Sequence, residues 1–298
     1  MNEEHAQDRG DAITGGEMVV RRSPTDTPPA PLVVDSPHSG RIYPADFRPA
    51  VSHGLLKGGE DRFVDELFGA APLHGAVMIA ARFARTYIDP NRSLAEMEPE
   101  LVEGSWPWPV AETEHTRLGV GLVFRKIGAG VDIYDRELSF QEVRHRIETC
   151  WQPYHDALSE AIEATHSRSG LVFHLNCHSM EPVGDELSPD PGVVRPDFVL
   201  GDLEGRSCAP EFSAFVADVL RRLGYTVALN DPYKGAELVE RYGDPIRQRH
   251  SLQIEVNRGR YMDLDSREKN AGFASLERDL SRLLAELCEY ARNKERSL

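Results

Sequence analysis

A chain of 298 residues, 40% of them hydrophobic, can bury a sizeable core as one large α/β domain or as two ordinary ones. Its formal net charge of −15 speaks against a surface built for nucleic acid, where affinity comes from clustered Lys and Arg. In so acidic a protein, an anionic ligand requires positive groups gathered locally, which gives individual arginines more weight than total charge.

Residues 1–29 are charged and then Pro/Thr-rich, with little apolar periodicity. They are expected to form an arm, disordered or draped over the surface, ahead of a single α/β domain over residues 30–298. The start Met1-Asn2-Glu3-Glu4-His5 has neither a basic nor an apolar signal segment. No apolar run reaches the roughly 18 residues of a membrane span. The expected location is the cytoplasm, with no membrane or nucleic-acid partner; oligomeric state stays open.

Folded structure is expected to begin near Pro31. Five short apolar runs read as buried strands: Pro31–Asp35, Ala76–Ala80, Leu171–Leu175, Tyr225–Leu229 and Leu252–Val256. Glu60-Asp61 opens an expected helix over Asp61–Ala70, and Arg85-Thr86-Tyr87-Ile88 reads as strand-like. From about Met97 to Ile133 periodicity is weak, and a connection this long suggests a functional cover. Phe140, Val143, Ile147, Trp151, Tyr154, Leu158 and Ile162 then recur at helical spacing, with Ser139 and Glu142 matching a capping box. Further helices are expected over Glu211–Leu223 and along the stripe Phe273, Leu276, Leu280, Leu283, Leu287. Alternating strand and helix implies a mixed, largely parallel sheet flanked by helices. The four cysteines, Cys150, Cys177, Cys208 and Cys288, are too far apart for a CxxC motif and are expected to be reduced.

Several residues on this frame can carry chemistry. His38, between Pro37 and Ser39-Gly40, follows a strand, and His178 repeats that arrangement; ligands of open α/β sheets bind at such strand ends. Each fits either zinc ligation or a hydrogen-bonded structural role, and spacing does not choose. His174 lies four residues before His178, but along a strand that is roughly 13 Å, too far to share an ion, so it reads as buried or supporting. A third ligand is open between Glu60 and Asp61, both of which also suit a first helical turn. Glu255 interrupts an apolar strand, and a carboxylate there must be paired, metal-bound or functional. Asp89-Pro90-Asn91-Arg92 suits a turn, yet Arg92 can also grip a carboxylate with Asn91 as a second donor.

Taken together, Pro37-His38-Ser39-Gly40, Glu60-Asp61, Ile88-Asp89-Pro90-Asn91-Arg92, Pro153-Tyr154-His155, Asn176-Cys177-His178-Ser179-Met180, Asn230-Asp231-Pro232-Tyr233-Lys234-Gly235 and Gln253-Ile254-Glu255-Val256-Asn257-Arg258 resemble the N-formylglutamate amidohydrolase family. That family is related to zinc carboxypeptidases and aspartoacylase-like deacylases. The resemblance runs from about Pro31 to Asp263 and implies a zinc-carboxypeptidase-like fold. It further implies that one Zn2+, or another divalent ion, is held by His38, Asp61 and His178. By the same resemblance Glu255 is the general base, and Asn91 and Arg92, assisted by Arg85, hold a substrate carboxylate. The implied reaction is hydrolysis of a small N-acyl acidic amino acid, foremost N-formyl-L-glutamate. Alternatives are a deacylase or carboxypeptidase-like hydrolase with another substrate, and a non-catalytic metabolite-binding protein. Two positions depart from the wider pattern: Arg41 stands three residues after the first histidine, where carboxypeptidases have an acid, and Asn176 stands where Asp is frequent.

Overall fold

Apolar runs too short for helices and bounded by Gly or Pro become strands, and here they build one large sheet. The computed structural model describes residues 17–186 and 188–298. The strands are β1 (Val19–Arg22), β2 (Leu32–Ser36), β3 (Val77–Ala81), β4 (Lys126–Ile127), β5 (Val131–Asp132), β6 (Val172–Met180), β7 (Phe198–Gly201), β8 (Val227–Leu229) and β9 (Arg249–Asn257). Among the described residues seven of them form a sheet in the order β1-β3-β2-β6-β9-β7-β8, and β4-β5 form a separate ribbon. Neighbours β3/β2, β2/β6, β6/β9 and β7/β8 are parallel, whereas β1/β3 and β9/β7 are antiparallel. The sheet is mixed and largely parallel, as the alternation of elements implies.

Helices cover both faces. On one side Phe212, Val216 and Leu220 of the helix Pro210–Arg222 and Leu276, Leu280 and Leu283 of the helix Phe273–Glu295 pack on Val34, Leu175, Ile254 and Val256. On the other, Val143, Trp151, Tyr154, Leu158 and Ile162 pack with Val33 and Ile79. Their stripe is interrupted: Phe140–Arg146 and Gln152–Ser169 are α-helical, with a π turn at Ile147–Trp151 between them. Pro153 has no N–H to donate into the preceding turn, which accounts for a bulge there. Ser139 and Glu142 form the expected capping box. The cysteines are free and buried. No helix among the described residues is long and apolar enough to cross a membrane.

Several local expectations are corrected. Ordered structure begins before Pro31, since β1 adds an antiparallel edge to β3; residues 1–16 of the expected arm lie outside the described residues. The expected helix Asp61–Ala70 shrinks to one turn, Val64–Leu67, because Phe63 takes a left-handed φ of 68° immediately before it. Arg85–Ile88 is a turn in which Tyr87 N–H donates to Ala84 O (2.9 Å), leaving no strand ladder. β6 continues to Met180, placing His178 inside a strand instead of after it.

In parallel neighbours, residues in register share a face. Asp35 pairs with Asn176, Asn176 with Gln253, and His178 with Glu255. The alternate residues Val34, Leu175, Cys177, Leu252 and Ile254 all belong to the opposite core. The sheet is therefore oily on one side and polar in a stripe across the centre of the other. Leu283 is fully buried on the oily side. Leu283→Ala should cost about 2–5 kcal/mol in denaturant unfolding; a loss below about 1 kcal/mol would mean that the C-terminal helix is not docked as described.

Candidate metal centre

The polar stripe ends in a cluster. His38 follows β2 by two residues, His178 lies near the end of β6, and Asp61 arrives from a loop whose N–H donates to the His38 carbonyl (3.0 Å). The two Nδ1 atoms lie 3.1 Å apart, and Asp61 Oδ2 lies 3.3 Å from His38 Nδ1 and 3.2 Å from His178 Nδ1. A tetrahedral zinc ion with ligands at about 2.0–2.1 Å holds its donors about 3.3 Å apart. The triangle fits such an ion, and all three residues are buried.

What lies behind the donors determines which atom faces the site. His38 Nε2–H donates to Asp89 Oδ1 (2.7 Å), leaving the Nδ1 lone pair pointing inward. Burial would raise the Asp89 carboxyl, but Arg85, His38 and Arg92 hold it well below the usual carboxylate range. His178 Nε2–H donates to Asn176 Oδ1 (2.8 Å). The Asn176 amide is oriented in turn by Asp35 Oδ1, which accepts from its Nδ2 (2.8 Å) and from His174 Nε2 (2.9 Å). Tyr154 OH donates to the other Asp35 oxygen, and His174 Nδ1 meets Ser251 Oγ at 2.7 Å. Burial opposes charge on Asp35 too, yet His174, Tyr154 and Asn176 keep its pKa below normal. Burial depresses His178, favouring the neutral imidazole that a metal requires.

Asp61 Oδ1 is held on its far side by Arg258 Nη2 (2.9 Å) and Ser179 Oγ (3.2 Å). Burial would raise Asp61, but its close contacts with His178 and His38 and the charge of Arg258 keep it well below normal. Its neighbour Glu60 turns away, bonded to Tyr43 and to Arg62 (3.1 Å). Of the two acids left open by the sequence, Asp61 is the one that meets both histidines.

His38, Asp61, His178, Ser179 and Arg258 line a cavity of about 730 Å³ together with Arg85, Asn91, Arg92, Glu255, Tyr233 and Lys126. Glu255 is pushed up to about 8, first by burial and then by the negative charge of Asp61, against Arg85, Arg258 and Arg195. Gln253 Nε2 donates to its Oε1 (3.0 Å). Arg92 gives Nε to Val120 O (3.1 Å) and Nη1 to Asn91 O (2.8 Å), so Nη2 remains. Asn91 Oδ1 accepts from Leu238 N–H (2.9 Å), and its Nδ2 lies 3.3 Å from His178 Nε2. Arg85 is tied to Asp89 Oδ2 through Nε (3.1 Å) and Nη2 (2.7 Å). His174 stands outside the donor cluster, on Asp35 and Ser251. The connection 97–133 supplies His115, Leu118, Val120, Phe124 and Lys126 to the cavity wall.

The N-formylglutamate amidohydrolase family model matches residues 30–262. The chain belongs to that family. An N-formylglutamate amidohydrolase of known structure from Ralstonia eutropha JMP134 is 47% identical, with a TM-score of 0.89 over 93% of this chain and 99% of that one. N-formylglutamate deformylase of Pseudomonas putida is 27% identical over 241 residues, 78% of this chain and 82% of the relative. A gene product of Agrobacterium tumefaciens, 18% identical with a TM-score of 0.64 over 94% of this chain and 96% of its own, shares the fold. Within this member of the family, sequence reasoning passed over Asp35, Asp89, Ser179 and Arg258 as supports. Asp35 carried a usable signal, since it too is a carboxylate in a buried strand, whereas Asp89 was masked by a turn-like Asp-Pro-Asn.

Removing the partner that orients a metal-binding histidine typically weakens affinity 10–100-fold. Asn176→Leu is expected to weaken zinc binding by about that factor in competition with a chelator. Unchanged affinity would mean that Asp35 and Asn176 do not orient His178.

Proposed function

We propose that this protein is a zinc-dependent amidohydrolase that converts N-formyl-L-glutamate and water into formate and L-glutamate. The observation that carries this reading is the meeting of the three-donor cluster, the raised carboxyl of Glu255 and the guanidinium of Arg92 around one cavity, in a chain of the N-formylglutamate amidohydrolase family. Two neutral imidazoles and a carboxylate are a donor set suited to catalytic zinc. Bound there, the ion supplies Lewis acidity that polarises an amide carbonyl and acidifies water.

The chain's own groups divide the remaining work. Glu255, opposite His178 in the register of β6 and β9, takes a proton from the attacking water. Glu255 is held near 8 by burial and by the negative charge of Asp61; with that charge offset by a cation held between His38, Asp61 and His178, Glu255 would move toward the ionised form that accepts the proton. As oxygen adds to the formyl carbon and the C–N bond breaks, Glu255 passes the proton to the departing amine. Arg92 Nη2 and the Asn91 amide N–H receive a substrate carboxylate, and Arg85, itself held by Asp89, adds positive potential beside them.

The test is release of formate and glutamate from N-formyl-L-glutamate by purified protein, before and after chelation and zinc restoration. Release lost on chelation and recovered with zinc is expected. No release from protein carrying one zinc per chain would overturn the substrate and shift attention to other N-acyl amino acids. Glu255→Gln should lower kcat by roughly 100-fold or more with zinc content unchanged, and retained turnover would remove Glu255 from the role of base. Arg92→Ala should act mainly on KM, raising it roughly tenfold or more; an unaltered kcat/KM would exclude the clamp.

A further inference from the structure

N-formylglutamate carries two carboxylates, and a single arginine answers one of them. The cations around the cavity differ sharply in what they already hold. Arg195 is engaged by Asp190, Lys234 by Glu204, Arg258 by Asp61 and Glu181, Arg85 by Asp89, and His115 by Glu96. Arg92 keeps Nη2 for the cavity and has Asp89 Oδ2 only at 4.0 Å. Two others, Lys126 and Arg267, have no carboxylate oxygen within 4.0 Å among the described residues; Lys126 feels Glu98 only at longer range, and that acid is bonded to Arg125 (2.5 Å). Arg267 Nη1 is anchored on Lys57 O (3.2 Å), while Lys126 Nζ has no hydrogen-bond or ion-pair partner among the described residues.

The fold anchors Lys126 and Arg92 on consecutive carbonyls of one loop. Lys126 N–H donates to Gly119 O (2.9 Å), and the next carbonyl, Val120 O, accepts from Arg92 Nε (3.1 Å). The stem of Lys126 lies on Gly119, where an added Cβ would come within 2.8 Å of its Cγ; Gly119 has a φ of 78°, which further favours glycine. Asp132, the partner of Lys126 across the β4-β5 ribbon, faces Arg125 Nη1 (3.4 Å) and so does not neutralise the lysine. A half-buried ammonium with no carboxylate oxygen within 4.0 Å, in a chain of net charge −15, lines the same cavity as the guanidinium that takes the first carboxylate.

We propose that Lys126 is the specificity-determining cation that receives the second carboxylate of an acidic N-acyl amino acid while Arg92 holds the first, an inference that rests on the amidohydrolase reading above. An amide in place of the side-chain carboxylate keeps the shape and removes the charge, so N-formyl-L-glutamine is the discriminating probe. The experiment measures kcat/KM for N-formyl-L-glutamate and N-formyl-L-glutamine with unmodified protein, Lys126→Met, Lys126→Arg and Arg267→Met, with thermal melting and bound zinc checked for each. The expected result is a glutamate-over-glutamine ratio that falls roughly tenfold or more in Lys126→Met, chiefly through KM for the acidic substrate, and is largely kept in Lys126→Arg. A ratio unchanged in Lys126→Met, including an equal loss on both substrates, overturns the proposal, as does a collapse confined to Arg267→Met. Absence of turnover by the unmodified protein ends the amidohydrolase reading itself, whereas turnover with an unmoved ratio ends only the assignment of Lys126.

Discussion

Three electron-pair donors facing one another at 3.1–3.3 Å, inside the protein, are a costly arrangement without a cation between them. Nothing in the triangle itself holds it closed. Its stability rests on what grips each donor from behind: Asp89 on His38, Asn176 on His178, and Arg258 with Ser179 on Asp61. Much of the buried polar structure follows from that demand, because each gripping group needs a partner of its own in a low-dielectric setting. Asp35 satisfies Asn176, His174 and Tyr154 satisfy Asp35, and Arg85 satisfies Asp89.

The same logic explains the long interrupted helix. Arg146 is fully buried and donates to Tyr87 O (3.0 Å); Trp151 Nε1 donates to Arg92 O (2.9 Å); His155 Nε2–H donates to Pro90 O (2.9 Å). Burial, with help from Arg241, lowers His155 to about 4, so it stays neutral and can accept from Tyr242 OH through Nδ1 while donating through Nε2. Three side chains from one helical segment thus fix three carbonyls of the turn that carries Asp89, Asn91 and Arg92. The π bulge lies within this segment, so the helix phase that presents Arg146 differs from the phase that presents His155. The support of the His38 donor and the seat of Arg92 share one rigid backing.

The fold was legible wherever a single physical signal dominated. Buried strands such as β2 and β9 announce themselves as apolar runs, and the helix stripe from Phe140 to Ile162 by its period. Glu255 was legible for the opposite reason, as a charge that an apolar strand does not tolerate without purpose. What escaped depends on partners distant in sequence. β1 is polar at its exposed end and becomes a strand because β3 has an open edge; β7 is only four residues long and is recognised by its pairing with β8 and β9. His178 was read as lying past a strand because its own segment turns polar, whereas nine ladder positions shared with β9 carry β6 through to Met180. The supporting role of Asn176 needed Asp35 on the neighbouring strand, a contact across 141 residues.

The origin of the third donor follows from how the chain leaves His38. Gly40 passes so close to Phe83 that a Cβ would lie 2.1 Å from its carbonyl oxygen, and Ile42 then pairs with Arg82 and Ala84 through backbone bonds of 2.8 and 2.9 Å. The segment is pinned along the extension of β3, and Arg41 emerges at the surface beside Glu66 (3.5 Å). A carboxylate at position 41 would therefore face solvent. The vacancy on the inner side is filled from the next loop, where Asp61 N–H bonds to His38 O and seats the acid against the histidine's own backbone. Phe63, forced to φ 68° just beyond, ends that approach and sends the chain into the single turn Val64–Leu67. The acid thus reaches His38 through a backbone hydrogen bond, a contact that no local sequence pattern records.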